Sequence, residues 1–171
     1  RKPRSLSGGQ CQRVGIARAL AIEPRLIVAD ECVAALDVSI QGQIINLLLE
    51  LRERMDLALL FITHDLTVVR RLCDRVAVMY LGRIVEQGPV RDVFEAPRHP
   101  YTAALIQSVA DIDPARRLPE QPLPGEPPSP LNLPSGCTFH PRCQYAVPAC
   151  REATPPTHSL GARYYTCVHP E

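Results

Sequence analysis

The chain has 171 residues and a formal net charge of +1; 46% of its residues are apolar and 22% are charged. This length favours one domain with a small appendage, and the apolar fraction is sufficient for a hydrophobic core, which excludes a chain that is disordered overall. The near-neutral charge argues against a nucleic-acid partner. The longest apolar runs, at about residues 44–51 and 57–62, are well short of the roughly 20 residues of a transmembrane helix.

The first two predicted elements are a helix and a strand. Apolar side chains recur at helical spacing from about Gly8 to Ile22, and Pro24 disfavours continuation of that helix. The apolar run 26–29 is typical of a buried parallel strand. Asp30 and Glu31 follow this strand directly, at the sheet edge where ligands bind in open α/β folds.

A second helix and strand complete a predicted β-α-β unit. Residues 39–54 place apolar side chains on one helical face, and residues 57–63 form another buried strand. His64 and Asp65 follow the second strand as Asp30 and Glu31 follow the first. Because parallel strands end at the same edge, both pairs are expected along one edge of the sheet.

The next segment predicts a hairpin and two short helices. Residues 75–80 and 83–87 read as strands around Leu81-Gly82, and residues 90–95 and 101–109 read as helices. From Pro114 onward the chain holds 13 of its 18 prolines, so residues 111–134 are expected to form an extended tether. The predicted domains are therefore residues 1–110, 111–134 and 135–171.

Two short motifs carry the chemistry of the N-terminal part. Ser7-Gly8-Gly9-Gln10 leads into the first helix, whose free backbone N–H groups and positive dipole end suit a phosphate. Asp30 is a candidate Mg²⁺ carboxylate, and Glu31 is a candidate base for an attacking water. An isolated Asp-Glu pair is more often a solvated turn, but the preceding motif favours the catalytic interpretation.

These motifs resemble the signature and Walker B sequences of the ATP-binding cassette (ABC) ATPases. The resemblance implies an α/β fold: the C-terminal part of a P-loop NTPase parallel sheet with flanking helices, followed by a Pro-rich tether and a small Cys-rich tail. It implies ATP and Mg²⁺ as cofactors, with Asp30 at the metal and Glu31 as the catalytic carboxylate. The chain has one lysine, Lys2, and no Gly-Lys pair. It is therefore expected to be a C-terminal fragment without the Walker A motif.

The same resemblance assigns roles to three further segments. Phe61-Ile62-Thr63-His64-Asp65 is similar to the switch segment, in which His64 would contact the γ-phosphate, and Ala35-Leu36-Asp37 is similar to the loop that couples two sites. In this family two ATPase domains sandwich two nucleotides. Ser7, Gly8, Gly9 and Gln10 would therefore contact ATP held by the partner. Cys32-Val33-Ala34 replaces the usual Pro-Thr-Ser, and Cys11 is also atypical, which puts the rate of hydrolysis in doubt.

Arg98-His99-Pro100-Tyr101-Thr102 resembles the start of the C-terminal extension of oligopeptide and dipeptide importer ATPases. This resemblance implies ATP-driven import of peptides, with nickel or another small solute as the near alternative. It also implies a second, non-identical ATPase subunit, two membrane permease subunits and, indirectly, a peptide-binding protein. The expected location is the cytoplasmic face of the plasma (inner) membrane, as a peripheral subunit.

Four cysteines lie in the last 35 residues, at positions Cys137, Cys143, Cys150 and Cys167. So short a tail is not expected to fold on apolar burial alone, which predicts a cross-link. The spacing permits metal ligands, disulfides or free thiols. The family resemblance adds a [4Fe–4S] cluster, with zinc as the alternative. Cys11, Cys32 and Cys73 are instead expected to be buried packing residues.

Two other functions compete with peptide import. A soluble ABC ATPase could act on nucleic acid through a zinc-binding tail, although the charge and the scarce aromatic residues disfavour it. A non-catalytic remnant or interaction fragment would fit the missing Walker A motif and the altered residues after Glu31.

Overall fold

The computed structural model describes residues 5–34, 36–108 and 123–168. The chain divides into two compact units, Arg1–Leu72 and Cys73–Glu171. The boundaries predicted at residues 110 and 134 remain predictions. Residues 111–122 of the expected tether lie outside the described residues, as does Val109 at the end of the last predicted helix, whereas residues 123–134 form neither helix nor strand.

The first unit is built around a parallel strand pair. Its elements are α1 (Gly8–Leu20), β1 (Leu26–Asp30), α2 (Val38–Met55), β2 (Ala58–Ile62) and α3 (Leu66–Leu72). β1 and β2 run parallel, in register from Leu26 opposite Ala58 to Asp30 opposite Ile62. The β-α-β unit expected from the alternation of apolar runs is confirmed. Helix α3 was not predicted.

Helix α2 supplies much of the core of this unit. Ile44, Ile45 and Leu48 are buried on one of its faces, and Val33 and Val68 complete the cluster. Complete burial of each such side chain stabilises the fold by roughly 1.5–3 kcal/mol. The helix ends where Asp56 adopts a left-handed conformation, with a φ of 51°, and the buried Leu57 leads into β2.

The second unit is an antiparallel sheet with short helices. Its elements are β3 (Arg75–Tyr80), β4 (Arg83–Pro89), α4 (Val90–Glu95), α5 (Pro100–Ser108), a 3₁₀ turn (His140–Arg142), α6 (Ala149–Glu152), β5 (Thr157–Leu160) and β6 (Arg163–Thr166). The strand order is β3-β4-β6-β5. The predicted hairpin is therefore the first half of a sheet that the Cys-rich tail completes.

The tail is anchored by contacts that the sequence did not predict. Phe139 is only 1% exposed and packs with Tyr80 and Tyr101, at ring-centroid distances of 5.2 and 5.4 Å. Strand β6 adds to β4 through the register pairs Glu86–Tyr165 and Gln87–Tyr164. Non-covalent packing and sheet hydrogen bonds therefore anchor the tail, and the cross-link expected from the sequence stays a prediction.

Among the described residues, none of the helices combines the length and the apolar character needed to cross a membrane.

Candidate functional site

The carboxyl ends of β1 and β2 bring together two of the predicted site residues. Asp30 is the last residue of β1, opposite Ile62, and the Glu31 N–H donates to the Ile62 carbonyl at 2.9 Å. This bond aligns the two strand ends. The His64 Nδ1 then lies 3.4 Å from the Glu31 Oε1. Both side chains are largely exposed, at 76% and 60%, so this contact leaves them accessible to a ligand.

Glu31 has an unusual backbone conformation. Its φ is 43°, in the left-handed region that non-glycine residues seldom adopt. Such a conformation costs of order 1–3 kcal/mol and persists only where surrounding contacts fix it. Here the bond to Ile62 and the bond from the Ala34 N–H to the Glu31 carbonyl, at 3.1 Å, fix the backbone on both sides. The backbone of Glu31 is therefore held in a conformation that a continued strand would not have.

The loop after Glu31 is fixed from helix α2. The Gln41 Nε2 donates to the Val33 carbonyl at 2.9 Å, and the Val33 side chain is buried in the core. Cys32 is half-buried beside this core, and burial raises the pKa of its thiol.

Asp37, the predicted coupling residue, lies at the N-cap position of α2 but makes no capping bond with its side chain. Ala35 lies outside the described residues.

The predicted phosphate-binding motif forms the start of α1. Ser7 is the N-cap: its hydroxyl accepts the Gln10 N–H at 3.3 Å, and the Gln10 Oε1 accepts the Ser7 N–H at 3.0 Å. This reciprocal capping box fixes the first turn. Gly8 and Gly9 face α2 and its N-terminal loop so closely that an added Cβ would lie 3.1 Å from Leu36 and 2.7 Å from Ile40.

The glycines therefore serve close packing as well as exposing backbone N–H groups. Helix α1 has no acidic residue in its first turn, so the positive end of the helix dipole is not compensated by its own side chains. This is the electrostatic setting that a phosphate group prefers.

Asp65 has a structural role that the sequence did not reveal. Its Oδ1 accepts the N–H groups of Thr67 and Val68 at 2.8 and 3.2 Å, which caps α3, and its own N–H donates to the Thr63 hydroxyl at 3.0 Å. The signal was present, since Asp three residues before Val68 is a typical N-cap spacing. These bonds fix the turn that carries His64.

The strand-end residues match the chemistry of a nucleotide-bound Mg²⁺. Mg²⁺ keeps several waters and is bound by one or two carboxylates together with substrate phosphates. Asp30 and its neighbour Glu31 can supply these carboxylates. Glu31 can accept a proton from a water, and the adjacent imidazole can donate to or accept from an oxygen. Without phosphates, no group of three or more His, Cys, Asp or Glu in the described ranges is placed to hold a metal ion.

The four tail cysteines form one neighbourhood. The Cys137 N–H donates to the Cys150 carbonyl at 2.8 Å. Burial raises the pKa of the Cys137 and Cys143 thiols, and the charges of the other tail thiols, including Cys167, raise it further. None of the four forms a disulfide within the described residues. An all-thiolate donor set suits iron–sulfur or zinc chemistry, but as placed the described residues do not form a ligand group.

The expectation for Cys11 is wrong, because its side chain is exposed. Helix α1 contacts α2 through Gly9, Arg13 and Ile16, which recur at helical spacing on one face. Cys11 is two positions from Gly9, about 200° around the helix, and so points away from that face. Cys32 and Cys73 are partly buried.

Comparison with known proteins yields two family matches. The family model for the ABC transporter matches residues 1–34, and the model for the oligopeptide/dipeptide transporter C-terminal region matches residues 85–150. The first range contains the capping box of α1 and the end of β1. The second contains β4, the Arg98-His99-Pro100 segment and three of the four tail cysteines.

Curated relatives agree with these matches. The oligopeptide transport ATP-binding protein OppF of Salmonella typhimurium is 55% identical over 157 residues, which is 91% of this chain and 47% of the relative. A protein of Sinorhizobium fredii, named as a probable peptide ABC transporter ATP-binding protein, is 60% identical over 91% of this chain and 44% of its own length. The chain thus spans less than half the length of these curated relatives.

A solved structure supports the fold. The ADP-bound ATP-binding cassette MJ1267 of an ABC transporter is 33% identical to the chain, with a TM-score of 0.53 over 61% of this chain and 41% of that one. The α/β fold predicted for a P-loop NTPase portion is therefore confirmed. Residues 1–34 thus match the ABC transporter family and residues 85–150 match the C-terminal region of its oligopeptide/dipeptide type, and the chain is similar to ATP-binding subunits of peptide ABC transporters.

Proposed function

We propose that the full-length protein hydrolyses ATP to energise ABC import of oligopeptides or dipeptides. One observation carries the ATPase part: the parallel pairing of β1 and β2 places the His64 imidazole 3.4 Å from the Glu31 carboxylate at the sheet edge where nucleotides bind. The peptide part rests on the match over residues 85–150 and on the names of the relatives. The chain's formal net charge of only +1 gives no support to the nucleic-acid alternative.

The roles of the site residues follow from their placement. Mg²⁺, when bound with ATP, would neutralise charge on the phosphates. Asp30 would hold its coordinated water, Glu31 would orient and deprotonate the attacking water, and His64 would donate a hydrogen bond to the γ-phosphate. The His64 Nδ1 faces the Glu31 carboxylate, which leaves Nε2 as the ring nitrogen that would reach a phosphate oxygen; donation to both acceptors would require a proton on each ring nitrogen.

The start of α1 would serve a second ATPase subunit. Ser7, Gly8, Gly9 and Gln10 would present the N-terminus of α1 to ATP bound by that subunit, and Asp37 would lie in the loop between the two sites. The capping box already engages the Ser7 hydroxyl with the Gln10 N–H. In that bond the Ser7 oxygen accepts, so its O–H can still donate to the partner's phosphate together with the backbone N–H groups of Gly8 and Gly9.

The assembly would be that of a peptide importer. The partners would be a second, non-identical ATPase subunit and two membrane permease subunits, with a peptide-binding protein acting indirectly. The protein would lie on the cytoplasmic face of the inner membrane as a peripheral subunit. Co-purification of the tagged full-length protein from detergent-solubilised membranes tests this: recovery of permease subunits is expected, and recovery of the ATPase alone from the soluble fraction would contradict it.

The tail would bind a metal group through Cys137, Cys143, Cys150 and Cys167. A [4Fe–4S] cluster is favoured over zinc because the four cysteines lack the two-to-four-residue spacing that is typical of structural zinc ligand pairs. Because the thiols of Cys137 and Cys143 have raised pKa values, metal loading would have to displace protons from them. Iron, acid-labile sulfide and zinc analysis of anaerobically purified protein tests this. A metal-free protein with four titratable tail thiols would contradict it.

The ATPase proposal is tested with the full-length protein. Mg²⁺-dependent phosphate release from ATP, stimulated when the subunit is reconstituted with its permease in proteoliposomes containing a peptide-binding protein and peptide, is expected. Failure to bind ATP would contradict the proposal. Stimulation by DNA instead of peptide would favour the nucleic-acid alternative.

A further inference from the structure

The sheet of the second unit contains a fully buried carboxylate that takes no part in the proposed ATP chemistry. Glu86 on β4 is 0% exposed, and it lies between Val78 of β3 and Tyr165 of β6 in the register of the sheet. A buried carboxylate destabilises the fold unless it is paired and hydrogen-bonded. A carboxylate in this core therefore needs hydrogen-bond donors or a positively charged partner.

Two segments outside β4 converge on this carboxylate. The backbone N–H groups of Arg98 and His99 donate to it at 3.0 and 2.9 Å. From the tail, Arg163 donates through Nε at 3.1 Å and through Nη2 at 2.5 Å. The same guanidinium also donates to the Ala96 carbonyl. Both oxygens of Glu86 are thus engaged, and Arg163 is itself only 4% exposed.

The contacts join parts of the chain that are far apart in sequence. Arg163 lies 77 positions after Glu86, and β6 meets β4 through only two register pairs. The stem of Arg163 lies directly over Gly88, where an added Cβ would be 3.0 Å from the arginine side chain. The ion pair therefore forms where the last two strands join the sheet.

The other contacts described above hold the part of the tail that precedes β5. Phe139 packs against Tyr80 and Tyr101 and so anchors the first part of the tail. The Cys137 N–H bond to the Cys150 carbonyl links the tail to itself. Neither contact involves β5 or β6. These strands are held by the Glu86–Arg163 pair, by the short ladder beside it and by two single bonds: the Thr166 hydroxyl donates to the Val85 carbonyl at 3.3 Å, and the Arg75 Nη2 donates to the Ala162 carbonyl at 3.0 Å. Of these side-chain bonds, the Glu86–Arg163 pair is the buried one.

We propose that Glu86 is an internal docking site by which the chain holds its own C-terminal strands, and that Arg98-His99 and Arg163 are the two segments it binds. This gives the Arg98-His99-Pro100 motif a structural purpose: it turns two backbone N–H groups onto the carboxylate. The docked strands cover the edge of β4, whose unpaired backbone groups would otherwise be open to another chain. Removal of one partner of a buried ion pair leaves the other charge uncompensated, so loss of this pair should weaken the docking of the strands more than loss of either exposed or part-buried bond.

Hydrogen–deuterium exchange of the full-length protein tests the proposal, with Glu86→Gln and Arg163→Met as variants. Peptides covering residues 157–166 are expected to exchange at least about tenfold faster in both variants, since opening of β5 and β6 limits their exchange. Glu95→Gln is the matched control. It breaks the exposed Arg91–Glu95 pair, which has an Nε–Oε1 distance of 3.1 Å, and is expected to leave exchange at residues 157–166 unchanged.

Two further readouts separate local release from general unfolding. Peptides from α2 should keep wild-type protection in every variant. If Glu86→Gln loses that protection, the test rests on the milder variant Arg163→Lys. Lysine keeps the positive charge but loses the bidentate geometry, so residues 157–166 should still exchange faster than in the wild type. Exchange at residues 157–166 within about twofold of wild type in a folded variant that lacks the pair would overturn the proposal. These outcomes do not depend on ATP hydrolysis.

Discussion

The His64 imidazole and the Glu31 carboxylate lie 3.4 Å apart, Nδ1 to Oε1, although 33 positions separate them in sequence. The pairing follows from the parallel register of β1 and β2, in which Asp30 lies opposite Ile62. Glu31 follows β1 and His64 follows β2, so both residues lie at the same edge of the sheet. The strand ends at this point, where Glu31 adopts a left-handed backbone conformation with a φ of 43°.

The contact between Gly9 and Ile40 predicts a difference between two glycines of α1. A Cβ at Gly9 would lie 2.7 Å from Ile40 Cγ2, whereas a Cβ at Gly15 has nothing within 4 Å. Gly9→Ala should therefore destabilise the protein by about 1–3 kcal/mol through overpacking. Gly15→Ala should stabilise it by about 0.5–1 kcal/mol, because alanine is the better helix former.

Urea unfolding of the two variants measures this difference. Because both substitutions add the same methyl group to the same helix, propensity alone predicts that both stabilise. Equal stabilisation by the two variants would show that α1 does not pack closely on α2 at Gly9.

The bond from Gln41 Nε2 to the Val33 carbonyl predicts a positioning role for Gln41. In Gln41→Leu the loop after Glu31 loses a bond worth roughly 0.5–1.5 kcal/mol, and the carboxylate should be held less firmly. In the full-length protein kcat for ATP hydrolysis should fall about 2- to 10-fold with KM for ATP unchanged. Steady-state kinetics beside a melting curve checks this. An unchanged kcat would contradict the role, and a raised KM would indicate a binding defect instead.

Burial of His99 predicts a pH dependence of stability. Burial lowers its pKa from 6.5 to about 4, against the opposing influence of the Glu86 carboxylate. The unfolded chain then binds more protons than the folded one between these values, so stability is lost as pH falls from about 6.5 to 4. This single group contributes a loss of about 3 kcal/mol.

Unfolding free energies measured from pH 7 to pH 4 check this expectation. The Nδ1 of His99 accepts the Tyr101 N–H at 3.1 Å, so the buried ring is held as the neutral Nε2–H tautomer. His99→Gln should be less stable at pH 7 and should lose less stability on acidification. An identical pH slope in the variant would assign the dependence to other groups.

The fold of the first unit was predictable because its signals are local. The continuous apolar runs before Asp30 and His64, and the helical spacing of Ile44 and Leu48 between them, correspond to the observed elements. The strand-edge placement of Glu31 and His64 followed from the handedness and parallelism of a β-α-β unit. Their separation and the left-handed φ of Glu31 depend on loop hydrogen bonds that leave no periodic signal.

The second unit was less predictable because its contacts are long-range. Strands β5 and β6 have four residues each; β6 joins β4 across more than 70 positions, and β5 pairs with β6. The turn at Gly161, with a φ of 60°, between the β-favouring residues around His158 and Tyr164 was a usable signal. The burial of Glu86 was not foreseeable, since an acidic residue in a strand is normally assigned to the solvent face.

The most direct test of the ATPase assignment is phosphate release by the full-length protein and its Glu31→Gln variant at saturating Mg²⁺–ATP. We predict that the variant binds ATP as the wild type does and hydrolyses it about 10²- to 10⁴-fold more slowly, because the amide cannot take the proton of the attacking water. Equal rates of phosphate release in the two proteins would contradict the assignment of Glu31, and with it the site built at the ends of β1 and β2.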